Sequence, residues 1–281
     1  MELKHTAARE GRLSSFLKDE LNMSSGLINR LKWQEKIFVN GKPEHNDFHV
    51  CPGDVISIPL DEEEPDFPPE EGALTILYED EYLLAVDKPA GMLIHPSRSC
   101  NTGTLANFVL GYYARTGLRS AFHPLTRLDR DTFGIVLLTK NSHIHARMQA
   151  TPVRKTYHAL TLGGPAEDSG IIDAPIARKP LPSLLREVRE DGKPSTTEFT
   201  VLERSDVLCK LELHPVTGRT HQLRVHCAHM GFPIIGDPQY GGENAMDFGW
   251  PHQALCAKRL EFVHPITGES LVLESAMDVN I

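Results

Sequence analysis

The chain has 281 residues, of which 40% are hydrophobic and 24% charged, and its formal net charge is −9. These values are ordinary for a soluble globular protein and exclude a chain that is disordered throughout. The first ten residues lack the apolar core of a signal peptide, and the longest aliphatic run, residues 135–138, is far too short to cross a bilayer. We therefore expect a cytoplasmic protein without a membrane partner.

The acidic excess is confined to one short segment. Residues 1–60 contain eight basic and eight acidic residues, residues 61–81 contain ten acidic and no basic residues, and residues 82–281 contain 21 basic and 20 acidic residues. The stretch DEEEPDFPPEEG cannot bury a core, so we interpret residues 61–73 as a linker that keeps two domains apart. Repulsion of misplaced RNA phosphates is an alternative role for it.

Residues 1–60 predict a small domain built as helix, helix and hairpin. Two amphipathic helices are indicated by the spacing of their apolar residues: Leu13, Phe16, Leu17 and Leu21 in the first, and Leu27, Ile28 and Leu31 in the second. Two strands follow, with turns at Asn40-Gly41 and Pro52-Gly53. This order resembles the S-four-like RNA-binding domain, which implies RNA contacts for Arg12, Arg30, Lys32 and Lys36.

Residues 74–281 mix strand patterns with few helices, which predicts the α+β class rather than a regular winding of parallel strands. Two strands surround an acidic turn at residues 79–81, and a helix is expected between an N-cap at Thr104 and a stop at Gly117. Its inward face should carry Leu105, Phe108, Val109 and Tyr112.

Two further elements are expected towards the end of this region. Alternation predicts a half-solvated strand with Val207, Cys209, Leu211 and Leu213 on one face. A helix that ends before Gly231 should place Leu223, His226, Cys227 and Met230 on one face.

The stretch HPLTRLDRDTFGIVLL, residues 123–138, concentrates charge immediately before an apolar strand. An aspartyl-phosphate phosphatase is one reading of LDRDT, but polar residues and a proline precede Asp129 where that class needs a buried strand, and no phosphate-binding glycine loop is present. A zinc site is also disfavoured. The five cysteines form no CxxC pair, and His221, His226 and His229 do not have metalloprotease spacing.

Several motifs together resemble the RluA-type pseudouridine synthases. They are, in chain order, YEDEYLLAVDKPAGMLIHP, RLDRDTFGIVLLTKN, RKTYHALTLG and HPVTGRTHQLRVHCAHMGFPIIGDPQYGG. The resemblance covers about residues 74–274 and implies a catalytic domain with a mixed, largely antiparallel sheet and a central cleft. It also implies that the protein isomerises a uridine in RNA, by detaching the base, rotating it and rejoining it to the ribose through carbon 5.

The resemblance implies a catalytic role for three residues. Asp129 is the nucleophilic aspartate of the RLD motif, whose carboxylate either attacks the ribose or removes a proton from it. Arg224 is expected to pair with Asp129, and Tyr157 to stack on the target base. Asp131 is read as a structural turn or cap residue.

Further residues are expected to bind the RNA around this centre. Base flipping would let Arg127 occupy the position vacated by the uridine, and Lys155 and Arg219 complete the predicted RNA-binding set.

Two residues depart from the family pattern. Thr126 stands where histidine is usual, and Phe133 stands where serine is common. These departures affect the positioning of the loop rather than the proposed nucleophile. They keep open an alternative, in which the chain is an RNA-binding or assembly protein with little catalytic role.

The S-four-like domain favours ribosomal RNA of the large subunit as the target, with transfer RNA as the other candidate. We expect a monomer that needs no cofactor and no metal, because the isomerisation involves no net redox change.

Overall fold

A computed structural model describes residues 2–21, 23–60, 62–97, 100–246 and 248–281. The chain divides into two compact units, Met1–Glu64 and Pro65–Ile281. The first residue of the predicted linker, residue 61, lies outside the described residues. The second unit begins at Pro65, whereas the sequence placed its start at residue 74.

In its described residues, the first unit contains two short helices, a π-helical turn and four strand pairings that form two small sheets. Its elements are β1 (Glu2–Thr6), β2 (Gly11–Arg12), α1 (Leu13–Ser15), a π-helical turn (Phe16–Glu20), α2 (Ser25–Trp33), β3 (Phe38–Val39), β4 (Lys42–Pro43), β5 (His49–Val50) and β6 (Val55–Pro59). The larger sheet has the order β1-β6-β3-β4, and β2 pairs with β5. The side chain of Ser24 caps α2 by accepting a hydrogen bond from the amide of Leu27.

Sequence patterns located the helices and the hairpin of this unit, with two differences. Leu27 is only half-buried, whereas Ile28 and Leu31 are buried as expected. The strand β1 was not anticipated. It pairs antiparallel with β6 from Glu2↔Pro59 to Thr6↔Val55, and such a long-range pairing leaves little signal in a five-residue segment.

Residues 66–70 of the segment interpreted as a linker form hydrogen bonds with the rest of the second unit. The amide of Phe122 donates to Asp66 Oδ1 at 3.0 Å, and Asn107 Nδ2 donates to the Pro68 carbonyl at 2.9 Å. The amide of Glu70 donates to the Asn107 carbonyl at 2.9 Å. These hydrogen bonds need no apolar side chain in the segment, so its acidic composition did not reveal them.

The described residues of the second unit form one large sheet, a separate two-stranded sheet (residues 176–178 and 186–188) and three α-helices. Its elements are β7 (Thr75–Glu79), β8 (Leu83–Lys88), α3 (Leu105–Thr116), β9 (His123–Pro124), β10 (Phe133–Thr139), α4 (Ser142–Gln149), β11 (Val153–Leu162), β12 (Ser169–Asp173), β13 (Ile176–Arg178), β14 (Arg186–Val188), β15 (Thr196–Arg204), β16 (Leu208–Pro215), α5 (Gln222–His229), a 3₁₀ turn (Asn244–Met246), β17 (Leu255–Val263) and β18 (Ser270–Glu274).

The sheet is mixed and largely antiparallel, which confirms the predicted α+β class. Its main path is β12-β15-β16-β11-β17-β10-β8-β7, with β18 beside β17 and β9 beside β10. The pairing of β10 with β17 is parallel, and the other pairings are antiparallel. Strand β10 is buried over its whole length, so it anchors the loop before it in the core.

Helix α3 begins and ends where the sequence predicted. Thr104 and Asn107 form a capping box, and Gly117 ends the helix with φ of 76°. The predicted inward face was partly wrong, because Tyr113 is buried, whereas Tyr112 is only half-buried and donates to Glu79 Oε2 at 2.6 Å.

The predicted faces of β16 and α5 each include one residue that is not buried. Cys209, Leu211 and Leu213 are buried on β16, but Val207 lies before the strand and is 50% exposed. Met230 follows α5 and is 47% exposed, because the helix ends at His229. Within the residues that the structure describes, no helix is long and apolar enough to cross a membrane.

Candidate active site

The charged part of residues 123–138 forms the loop between β9 and β10, and this loop carries Asp129. A turn closes where the Thr132 amide donates to the Asp129 carbonyl at 3.2 Å. Thr126 is buried, and its hydroxyl accepts a hydrogen bond from the Leu137 amide at 2.9 Å. The residue that departs from the family pattern therefore ties the loop to the buried strand.

Phe133, the second departure, has a packing role. It is 5% exposed and belongs to the core, where its ring lies against Trp250 and His252. Asp131 accepts two hydrogen bonds from Arg130, at 3.0 and 2.9 Å.

Arg224 joins the Asp129 loop to the rest of the domain. Its Nη1 donates to Asp129 Oδ2 at 2.9 Å, while Nε and Nη2 donate to the two oxygens of Asp237 at 2.7 and 2.8 Å. Nη2 also donates to Gln239 Oε1 at 2.9 Å. The guanidinium is thus held on three edges and offers one fixed N–H to the Asp129 carboxylate.

Asp237 is fully buried and is itself fixed by the chain. Its Oδ1 accepts hydrogen bonds from the backbone amides of Gln239 and Tyr240, at 2.9 and 3.1 Å. Burial lowers the pKa of Arg224, but the hydrogen bonds and negative charges of Asp237 and Asp129 outweigh that effect and raise the pKa above its ordinary value. The guanidinium therefore stays charged.

Tyr157 lies on β11 beside a β-bulge, where the register with β17 shifts between Thr156 and Tyr157. Burial and the nearby charge of Asp129 raise the pKa of its hydroxyl, so the phenol is protonated at neutral pH. A protonated phenol can donate a hydrogen bond, and its ring presents an apolar face.

Lys88, at the end of β8, binds the backbone of the loop that carries Asp129. It is fully buried, and its ammonium group donates to the carbonyls of Pro89, Met92 and Arg130 at 2.9, 2.9 and 2.8 Å. Burial lowers its pKa to about 8, although the charges of Asp131 and Asp129 partly oppose this shift. The bond to Arg130 fixes the backbone immediately after Asp129.

A cavity of about 470 Å³ opens over Asp129. Six of the ten residues predicted from sequence line it: Arg127, Asp129, Lys155, Tyr157, Arg219 and Arg224. Arg127 and Arg219 are exposed, whereas Lys155 is half-buried and burial lowers its pKa. The other four, Arg12, Arg30, Lys32 and Lys36, belong to the first unit.

Sequence reasoning missed four residues that organise this cavity: Lys88, His221, Asp237 and Gln239. All four lie inside the quoted motifs, but none has a distinctive local pattern. His221 was weighed as a metal ligand, whereas its Nδ1 lies 2.8 Å from the Tyr240 hydroxyl. His226 uses both ring nitrogens within the fold, at Thr197 Oγ1 and the Ala174 carbonyl.

The described part of the chain contains no group of three or more histidine, cysteine or acidic side chains arranged to hold a metal ion. Cys209, Cys227 and Cys256 are buried free thiols.

A paired carboxylate and guanidinium over a cavity lined by cations is a site for acting on an anionic substrate, and comparison with known proteins identifies the reaction. The family model described as RNA pseudouridylate synthase matches residues 82–229, which contain Asp129, Tyr157 and Arg224. The chain belongs to this family. It is an RNA pseudouridine synthase, and it isomerises uridine in RNA.

Individual relatives agree with this assignment over most of the chain. The synthase is 38% identical over 250 residues to the RNA pseudouridine synthase YlyB of Bacillus subtilis, covering 86% of this chain and 82% of that protein. It is 31% identical over 294 residues to ribosomal large subunit pseudouridine synthase C of Vibrio cholerae, covering 96% and 90%.

A solved structure supports the fold of the synthase. The human protein RNA pseudouridylate synthase domain containing 1 superposes with a TM-score of 0.62 at 27% sequence identity, covering 74% of this chain and 86% of that one.

Proposed function

We propose that Asp129 is the carboxylate that acts on the ribose of a uridine flipped into the cavity. The observation that carries this proposal is the Asp129–Arg224 contact at 2.9 Å on the wall of a cavity of about 470 Å³. Arg224 holds one carboxylate oxygen, which fixes the rotamer, and the other oxygen keeps a lone pair that can act on the substrate. A carboxylate placed in this way can attack the ribose or remove a proton from it.

Tyr157 is proposed to contact the target base. Its ring lines the cavity on the β11 side, and its protonated hydroxyl supplies a donor next to Asp129. Stacking on a flipped base needs an aromatic face that the protein does not cover, and a half-buried tyrosine satisfies this requirement.

The cationic residues of the cavity are proposed to hold the RNA around the flipped nucleotide. Arg127 is exposed two residues before Asp129, so its guanidinium can enter the stack at the position that the uridine leaves. Lys155 and Arg219 line the same cavity and can neutralise flanking phosphates.

Ribosomal RNA of the large subunit is the proposed target, with transfer RNA as the alternative. Support comes from similar proteins, since the relative from Vibrio cholerae is named a ribosomal large subunit pseudouridine synthase. The first unit is proposed to be an S-four-like RNA-binding domain that uses Arg12, Arg30, Lys32 and Lys36. We propose that the enzyme works as a cytoplasmic monomer and without a cofactor.

Mapping of pseudouridines tests both the target and the nucleophile. Total RNA from cells that lack the gene should miss one or more pseudouridines in large-subunit ribosomal RNA. Wild-type protein should restore these positions, and the Asp129→Asn variant should not. Missing positions in transfer RNA alone would contradict the proposed target, and restoration by Asp129→Asn would contradict the proposed nucleophile.

A further inference from the structure

His221 has an unusual backbone for its residue type. Its φ of 57° and ψ of 19° lie in the left-handed region, where a residue with a side chain rarely sits unless the surroundings hold it there. It precedes α5, the helix that carries Arg224, and its ring lines the cavity. The conformation gives the imidazole its place between Tyr240 and Asp129.

The hydrogen bonds of Tyr240 determine which nitrogen of His221 carries the proton. The Tyr240 oxygen accepts a hydrogen bond from the backbone amide of Arg186 at 2.9 Å. Burial raises the pKa of the Tyr240 hydroxyl, so its single proton is present and needs an acceptor. We assign His221 Nδ1, at 2.8 Å, as that acceptor. A neutral imidazole that accepts at Nδ1 carries its proton at Nε2.

The Nε2–H of His221 then faces the carboxylate oxygen that Arg224 does not hold. Nε2 lies 3.9 Å from Asp129 Oδ1, whereas Arg224 binds Oδ2 at 2.9 Å. The separation of 3.9 Å exceeds a hydrogen bond, so the imidazole and the carboxylate must approach by about 1 Å to form one.

We propose that His221 is a positioning residue, whose neutral Nε2–H donates a hydrogen bond to Asp129 Oδ1 when uridine occupies the cavity. Donors on both oxygens would then fix the plane of the carboxylate. The inference rests on the proposed role of Asp129 and adds a second group that orients it.

The proposal requires a neutral imidazole, and the surroundings favour one. Burial lowers the pKa of His221 below its ordinary value of 6.5. The charges of Arg224 and Arg186 act in the same direction, and those of Asp129 and Asp237 oppose them. Protonation would place a second proton on Nδ1 and remove the acceptor that Tyr240 uses, so the ring would lose the contact that orients it.

His221→Asn and His221→Gln distinguish a positioning role from a structural role. The first keeps the tolerance for the left-handed backbone, and the second keeps a donor at the position of Nε2. Asparagine tolerates the left-handed backbone and can reach Tyr240, but its amide ends near the position of Nδ1. Glutamine is strained in that backbone, but its amide reaches the position of Nε2 and can donate to Asp129.

The test measures tritium release from carbon-5-labelled uridine in ribosomal RNA with the full-length variants. We expect His221→Asn to lower kcat about 10- to 100-fold, with KM changed less than about twofold, since one hydrogen bond to a charged group is lost. His221→Gln should retain a kcat within about fivefold of wild type, although it should unfold at a lower temperature. A structural role predicts the opposite order of kcat, and that order would overturn the proposal.

A pH profile gives a second readout. The kcat of wild type should fall as pH drops through the pKa of His221, below 6.5, and the profile of His221→Gln should lack this acid limb. An unchanged acid limb in His221→Gln would contradict the proposal. Asp129→Asn is assayed in parallel, because full activity there would refute the role of Asp129, whereas a dead Asp129→Asn beside a fully active His221→Asn would refute the role of His221 alone.

Discussion

Asp129 and Asp131 lie two positions apart in one loop, but their carboxylates face different partners. Asp129 contacts Arg224 on the cavity wall, and Asp131 pairs with the largely exposed Arg130. We expect Asp129→Asn to abolish pseudouridine formation with near-normal stability and RNA affinity, because the amide keeps the size but not the charge. Tritium release and RNA-binding titrations would measure these effects.

Asp131→Asn is the matched control within the same loop. An ion pair with an exposed arginine contributes little, so we expect a loss of at most about 1 kcal/mol in the free energy of unfolding. Activity should remain substantial. Equal losses of activity in the two variants would contradict the separation of their roles.

Lys88 connects the stability of the loop to pH. We expect Lys88→Met to lower the free energy of unfolding by about 2 to 4 kcal/mol at pH 7, since three buried carbonyls lose their donor. Activity should fall as well, because the Arg130 carbonyl is no longer held beside Asp129.

The pH dependence of the difference between wild type and Lys88→Met has a definite sign. The folded-state pKa of about 8 lies below the ordinary value of 10.5, so between these values the unfolded chain binds a proton that the folded chain does not. The stability of wild type relative to Lys88→Met should therefore rise from pH 8 to pH 10.5. Urea unfolding of both proteins at several pH values measures this, and a falling difference would contradict the lowered pKa.

At the scale of elements, the parallel contact between β10 and β17 depends on one glycine. Gly134 has φ of 108°, and a Cβ there would lie 2.3 Å from the Ala257 carbonyl oxygen. Gly134→Ala should therefore force the strands apart and displace the loop that carries Asp129. We expect a loss of more than about 3 kcal/mol in the free energy of unfolding.

Gly117→Ala is the control, because it introduces backbone strain but no steric clash. Gly117 also has a positive φ, 76°, but a Cβ there would meet nothing within 4 Å. We expect it to cost about 1 kcal/mol and to leave activity unchanged. If Gly134→Ala and Gly117→Ala gave similar unfolding curves, the close contact between Gly134 and Ala257 of β17 would not limit the side chain at position 134.

At the scale of the whole molecule, the first unit should contribute affinity rather than chemistry, since Asp129, Tyr157 and Arg224 all lie in the second unit. Replacing Arg12, Arg30, Lys32 and Lys36 together by alanine should weaken RNA binding and flatten its salt dependence, by a slope of up to about 3 if all four contact phosphates. The rate at saturating RNA should stay near wild type. Replacing Lys4, Lys18 and Lys42 by alanine is the control, and normal affinity with lost turnover would refute this division.

Catalysis should also survive removal of metal ions. Exhaustive EDTA treatment should leave turnover intact on RNA that folds without magnesium, because uridine isomerisation transfers neither electrons nor phosphate. If EDTA abolished turnover and zinc restored it, the prediction would be wrong and the histidines around α5 would be candidate metal ligands.

The sequence predicted helix ends and strand faces correctly where residues close in the chain determine them. The N-cap at Thr104, the stop at Gly117 and the alternation of Cys209, Leu211 and Leu213 depend on nearby backbone geometry and on one buried face. The long motifs likewise indicated the family and the cluster of Asp129, Tyr157 and Arg224, since their order and spacing are specific.

The tertiary structure alone decided how these residues are held. Lys88 reaches a carbonyl 42 positions away, and Arg224 reaches Asp129 across 95 positions while Asp237 fixes its other edge. The tautomer of His221 depends on Tyr240 and on a backbone amide from β14. Composition and periodicity report which side chains are buried or exposed, but a hydrogen bond between distant segments depends on the three-dimensional path of the chain, and short sequence patterns do not record that path.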